Sequence, residues 1–493
     1  MQWARWFLSG RVVAGTILLS LVGLALAQGG ALQVFGPVGL VVSVDGSFVG
    51  QTTSEPGGLL VANVHRGRRA VAAFDAGVLV WEASIEVRPG EVAVARVPTW
   101  PMQFAVDGGG PRPQFVVDRE GNIILPGWVG VSVTGVDLGE RGVSVRKLDA
   151  YGNEMWIREF GSSGRDEASG VAVDRGGNIL VVGWTTGALG DQNAGMDDAF
   201  VRKLDGDGNE VWTHQFGSEG VDRALAVTVD GSGNVLVVGE TSRSIVGPWD
   251  GNPTGNVFAR KLDPRGRELW THEFGSAGND IPTSVAVDRH NDVFVAGVAA
   301  GPIGGPQAER LDPFVRKLNA GGSEVWTHQF GTDGMTYLHG MALDDGGNVF
   351  VVGETTGVLG VRRFGPIDAF VRKLDARGSE VWTHQFGTDG LDFGYNTAVN
   401  GAGNVVIVGS TTGALGGPNA GGFDAFVRVV DMSGRAIWTY QFGSTESDEA
   451  RSVAVAPSGL ILVGGGSSGA LSSEQFGGRG PFLHRLLPPP AAR

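Results

Sequence analysis

Cysteine is absent from the 493 residues, which excludes disulfides, thiol catalysis, thiolate zinc sites and an N-terminal lipid-modified cysteine. No block of lysine or arginine occurs, and 52 acidic against 38 basic residues give a formal charge of −14. A chain so balanced lacks the basic stripe that nucleic-acid phosphates require. Beyond residue 27 no apolar run approaches the ~20 residues of a bilayer span. Charged residues are sparse at 18% while hydrophobic ones reach 42%, which is a folding composition and not a disordered one. Glycine is what abounds, with 83 residues beside 22 prolines, against a usual glycine share of ~7%. So much glycine in a folded chain serves tight turns, and tight turns imply short β-strands.

Arg5 and Arg11 precede an apolar stretch from Val12 to Ala27, and Ala25-Leu26-Ala27 fits a small-x-small cleavage site. This is the layout of a secretory signal peptide, residues 1–27, and it is too short to stay as an anchor. The expectation is an exported, extracytoplasmic protein with no membrane span in the mature chain. From residue 30 to 98 short alternating runs such as "LVVSVDG", "RRAVAAF" and "EVAVARV" end at or near Gly, Pro or Asp, the period-two signature of strands and turns. Asp45-Gly46 is a hairpin signal. The runs "SVDGSFVGQTT", "VHRGRRAV" and "VRPGEVAVARV" resemble PEGA-like surface β-sandwich modules, with Thr52-Thr53 where those carry a proline. The resemblance implies spacing or attachment and no chemistry.

The remainder is repetitive. A W-x-x-x-F element recurs at Trp100, Trp156, Trp212, Trp270, Trp326, Trp382 and Trp438, at intervals of 56 or 58 residues. A "VAVD..GNxxVVG" element recurs at Asp118, Asp174, Asp230, Asp288 and Asp344, then at Asn400 and near Pro457. A third, "FVRKL", begins at Ser144, Phe200, Phe258, Phe314, Phe370, Phe426 and Phe482. The first tryptophan element stands alone before any "VAVD", and the last "FLHRL" has no tryptophan element after it. An open stack would leave both as unpaired edges; a ring lets the strand around Trp100 complete the last sheet. The fold class read from this is all-β: a seven-bladed β-propeller of four-stranded blades over residues 99–487, closed by an N-terminal strand. A Pro-rich tail, residues 488–493, follows. The pattern resembles the seven-bladed beta-propeller repeat family of exported bacterial proteins, SBBP, which implies this fold and no particular activity.

The turns "DRGGN" at Asp174–Asn178 and "LDGDGNE" at Leu204–Glu210 read as Asp-nucleated turns with glycines for positive φ. The second also looks like a calcium loop, but its distal bidentate acid is missing. His214, His272, His328 and His384 share one repeat position on the outermost strand, too far apart for a metal, and are expected as surface decoration. The "LDxxGxExW" tryptophans also resemble the repeat of quinone-dependent dehydrogenases; those have eight blades, and here the stripe reads as packing. Neither a cofactor nor a metal is therefore expected. Five blades pair a lysine with a glutamate seven residues on, as in Lys203/Glu210, and both vanish together at Val429 and Ala436. The expectation is a cross-strand ion pair.

Residues that break the repeat cluster near the fifth blade: Tyr337, His339, Arg362, Arg363, Phe364, Phe393 and Tyr395. Aromatics beside arginines suit binding, including sugar stacking or anion capture. No nucleophile, base and orienting acid stand out among them. The reading is a non-catalytic binding or scaffold protein presenting a variable loop face to a protein or carbohydrate ligand. The alternative is a propeller enzyme, a lyase or a quinone-dependent dehydrogenase.

Overall fold

The structure, a computed structural model, describes residues 30–35, 39–52, 59–75, 78–88, 91–96, 102–103, 114–130, 138–247, 256–304, 311–456, 459–471 and 480–486. Residues 1–27, expected as a signal peptide, the C-terminal tail, Trp100 and Phe104 lie outside these. Among the described residues there is no helix, and so none long and apolar enough to cross a membrane. The chain divides into two compact units, Met1–Trp100 with Tyr151–Asn153, and Pro101–Ala150 with Glu154–Arg493.

In the first unit, strands Leu59–Val64, Gly30–Phe35 and Val92–Arg96 form one sheet in that order. Ser47–Gln51, Val41–Val44, Gly67–Asp75 and Val78–Val87 form another. Alternation puts Leu32, Val34, Val64 and Ala95 from the first sheet into one core with Val42, Val44, Val71 and Ala73 from the second. Asp45 and Gly46 both have positive φ, 48° and 78°, as a two-residue type I′ hairpin turn requires.

The second unit repeats one antiparallel sheet. In Asp166–Val173, Ile179–Thr185, Asp198–Leu204 and Glu210–Phe216 each strand pairs with the next in sequence. The same order recurs from Asp222, Ile281, Thr336 and Asp392, and in the sheet that ends with Glu154–Phe160. The last sheet is stitched from both ends of the unit: Asp448–Val455, Ile461–Ser467 and Gly480–Leu486 are completed by Met102–Gln103, with Phe482 opposite Gln103. The first and last sheets also meet, the Phe115 N–H donating to Ser452 Oγ at 3.4 Å.

The repeated residues explain the repeated geometry. Asp174 Oδ1 accepts from the Gly176 and Asn178 N–H groups at 2.8 and 2.9 Å, and Oδ2 from Asn178 Nδ2 at 2.7 Å. Five outer tryptophans donate from Nε1 to a turn carbonyl of the following sheet: Trp156 to Gly206, Trp212 to Pro264, Trp270 to Ala320, Trp326 to Ala376 and Trp382 to Met432, all at 3.1–3.3 Å. That close approach depends on a left-handed glycine. Gly322 has φ +90°, and a Cβ there would meet Trp270 at 2.9 Å, whereas Gly177, at φ +81°, has nothing within 4 Å. Gly322→Ala should cost about 2–4 kcal/mol from strain and overpacking together. Gly177→Ala should cost only the strain, about 1–2 kcal/mol. Equal urea midpoints for the two variants would refute the tryptophan seat.

Two expectations are corrected by the packing. The lysines do not pair with the glutamates. A bulge after Lys203 sets Trp212 opposite Lys203 and Glu210 opposite Leu204, so Glu210 meets Arg202 at 3.4 Å. Lys203 instead reaches the turn carboxylate Asp174 at 3.0 Å, both side chains being buried. Lys147–Asp118, Lys261–Asp230 and Lys317–Asp288 repeat this at 3.2, 2.9 and 3.4 Å. Burial alone would raise the Asp174 and Asp230 carboxyls, but hydrogen bonds from Asn178 or Asn234 and from the lysine hold both below the ordinary value. The histidines are not all surface decoration either. His214, His272 and His328 are half-buried, and burial, then the Arg260, Arg316 or Arg372 charge of the next sheet, holds each ring below its ordinary pKa.

The "FVRKL" arginines stack on the phenylalanine of the preceding sheet, Arg202 on Phe160 and Arg260 on Phe216 at 4.1 and 3.9 Å. In the last sheet His484 takes that place, 4.8 Å from Phe442. Burial holds its imidazole down to about 4 from the ordinary 6.5. The unfolded chain therefore takes up the proton first as pH falls, and stability declines between 6.5 and 4. Unfolding at pH 5 should be easier than at pH 7.5 by about 2 kcal/mol. His484→Phe should flatten that dependence in urea titrations, and an unchanged slope would count against it.

Candidate functional site

The first strand of every sheet lines one cavity of about 180 Å³ in the second unit. Six of these strands carry a β-bulge at the same repeat position, leaving Ser169, Leu225, Thr283, His339, Tyr395 and Arg451 outside the ladder. A bulge re-aims its side chain, and here the re-aimed residue differs in each of the six strands.

Three consecutive bulges are joined. His339 Nε2 lies 2.9 and 2.7 Å from the two oxygens of buried Glu354, and its ring meets Tyr395 edge-on at 5.6 Å. The Arg451 guanidinium sits 4.3 Å over the Tyr395 ring and gives Nε to Glu449 at 2.8 Å, with Nη2 on the same oxygen. Ser410 Oγ donates to the Tyr395 hydroxyl at 3.3 Å. Burial, followed by the Glu449 charge, pushes that phenol up to about 12, so it stays protonated. Phe393 stacks on Tyr395 at 5.9 Å and meets Phe423 at 5.7 Å. Gly340 permits the crowding: a Cβ there would fall 2.8 Å from the Asn396 backbone.

The residues singled out from sequence divide accordingly. His339, Tyr395 and Phe393 come together, and Tyr337 stands opposite Glu354 in the ladder. Arg362, Arg363 and Phe364 form their own loop cluster. Arg362 lies 4.6 Å over Phe364, Arg363 donates to the Gly365 and Pro366 carbonyls, and the Phe364 N–H is held by Asp368. Among the described residues, their hydrogen bonds and ring contacts stay within residues 362–368.

A second cluster escaped sequence reasoning. Trp184 is buried between Arg165 and Arg223, at 5.0 and 4.9 Å, and Arg141 lies 4.1 Å over Trp128. Glu167 ties Arg141 to Arg165 at 3.2 and 3.1 Å, and Asp197 holds Arg223. The signal was a tryptophan inside the second-strand element, "VVGWTTG" where another sheet reads "VVGETTG".

Comparison with known proteins adds the following. The family model of the SBBP beta-propeller repeat matches residues 156–191, 269–304 and 325–360. The regulatory protein FlaEY of Caulobacter vibrioides is 30% identical over 168 residues, which cover 30% of this chain and 17% of FlaEY. Among solved structures, the beta-propeller domain of the Trilobed protease from Pyrococcus furiosus aligns with a TM-score of 0.43 at 8% identity, over 76% of this chain and 93% of that one. The Pan2 WD40 domain of Neurospora crassa aligns with a TM-score of 0.42 at 10% identity, over 72% and 86%.

Proposed function

We propose that this chain, which carries SBBP beta-propeller repeats, is an exported, non-catalytic binding module. In this reading it is a closed seven-bladed propeller whose channel face holds a protein or carbohydrate ligand outside the cytoplasm. Closure is supported by the pairing of Met102–Gln103 with the last sheet and by the Phe115–Ser452 bond between the outermost members of the series. Export is supported by the signal-peptide layout of residues 1–27.

One observation carries the binding role. Strand, turn and staple residues recur from sheet to sheet, yet the bulge positions differ in all six strands that carry one, and three of them assemble into a linked arc. Packing demands would hold such positions to small or apolar residues; a half-buried histidine, tyrosine and arginine, linked to one another, answer to something else. The test compares the wild-type protein with His339→Ala and with the perimeter variant Val325→Ser. Glycan and surface-protein arrays should show binding that is lost in the first variant and kept in the second, with no cofactor absorbance in the purified protein. A stoichiometric chromophore, or turnover that depends on His339, would overturn this reading in favour of an enzyme.

A further inference from the structure

The geometry points to a single neutral sugar residue as the ligand of the channel arc. Its hydroxyl edge meets Arg451, Tyr395 and His339, and its C–H face meets Val171, Ala226 and Val285. This deepens the binding reading above and rests on it.

Size comes first. The cavity has a volume of about 180 Å³. That is below the ~300–1,000 Å³ of sites for drug-sized ligands. One ring fits, whether a free monosaccharide or the end of a longer glycan.

Charge then selects the class. Arg451 commits Nε and Nη2 to Glu449, and His339 commits Nε2 to Glu354. Arg451 is matched by the Glu449 carboxylate and His339 is engaged by Glu354, so neither basic side chain is left to choose an anion, and neither carboxylate is free to choose a cation. Among the described residues no group of three or more acids or histidines could hold a metal ion.

What the arc offers is hydrogen bonding. Arg451 Nη1 has no hydrogen-bond partner among the described residues. The Tyr395 hydroxyl keeps its proton and donates. With Nε2 on Glu354, Nδ1 is the ring nitrogen of His339 with no hydrogen-bond partner among the described residues. Arg451 and Phe393 both lie against the Tyr395 ring, so its hydroxyl rather than its face meets the ligand. The ion pairs already fix these side chains, which limits the ordering cost on binding. Val171, Ala226 and Val285 also line the cavity, alongside Thr283 and Ser284. A lining rich in hydrogen-bonding groups with a few apolar ones between them is complementary to a pyranose, which has hydroxyls at its rim and C–H bonds on its faces.

Saturation-transfer NMR with the full chain and methyl glycosides of neutral hexoses tests this, with methyl glucuronide as the anionic comparison. At least one neutral glycoside should show transfer. Tyr395→Phe, which removes one hydroxyl, should weaken it about tenfold, and Arg451→Met should abolish it. Thr283→Phe, which fills the cavity from a different strand, should abolish it too and guards against misfolding of the arc variants. Val325→Ser should leave it unchanged. No transfer from any neutral glycoside, or tighter binding of the glucuronide, would overturn the sugar assignment. Full transfer in Tyr395→Phe and Thr283→Phe would overturn its location. A surface protein retained by wild type and lost in Arg451→Met, with no glycoside transfer, would sink the sugar alone and leave the binding module standing.

Discussion

A chain beginning at Pro111 should melt on the order of 5–10 °C below one beginning at Pro98, and should aggregate on heating. The shorter chain loses Met102–Gln103, the fourth strand of the last sheet, and leaves the Gly480–Leu486 ladder open along one side. Calorimetry of the two chains measures the difference. The chain beginning at Pro98 lacks the strands of the first unit but keeps the closing one, so it should melt with the full-length second unit. Equal melting temperatures for both truncations would remove the closed ring.

The second large effect lies in the buried Lys–Asp pairs. Lys203→Val alone should cost about 3–5 kcal/mol, because it strands the Asp174 carboxylate away from water. Asp174→Asn alone should cost a similar amount by stranding the ammonium. The double variant should recover at least about 2 kcal/mol of the summed losses. It copies what the sixth sheet already contains, Val429 with Asn400, where the Asn400 side chain still accepts from the Ala402 and Asn404 N–H groups. A depressed carboxyl contributes stability above its ordinary range and loses it as pH falls through its folded value, so the coupling should shrink in strong acid. The Lys203/Glu210 cycle should show none, since Glu210 serves Arg202 and Thr213. Additive Lys203 and Asp174 effects would refute the partnership.

That pair shows how far the sequence could be read. The joint loss of Lys and Glu at Val429 and Ala436 was visible, but so was the loss of Asp at Asn400, and the nearer residue drew the pairing. One bulge decided otherwise. It moves Glu210 from the lysine's side of the hairpin to the arginine's, and a one-residue shift exchanges the two faces of a strand. The period, the turns and the shared last sheet were legible because each depends on local residues repeated many times. The arc was half legible. His339 and Tyr395 stand out as departures from the repeat, whereas Arg451 belongs with them only because neighbouring first strands run side by side, 56 residues apart in sequence. Arg362, Arg363 and Phe364 were grouped with them for being equally unusual, yet the contacts they make keep to their own loop.

The stitched last sheet also sets an order of events in folding. Trp–carbonyl contacts join residues about 50 apart, and so can form while the chain is still growing. The contact between Gln103 and Phe482 spans about 380 residues. By the logarithmic rule for loop closure, it costs about 1.7 kcal/mol more chain entropy than a 56-residue link. The N-terminal strand must therefore wait, unpaired, until nearly the whole unit has been synthesised, which makes closure the slow step. Microscopic reversibility gives the same seam the earliest part in unfolding: amide exchange should be fastest along Gly480–Leu486, and the proposed ring would open there like a bracelet at its clasp.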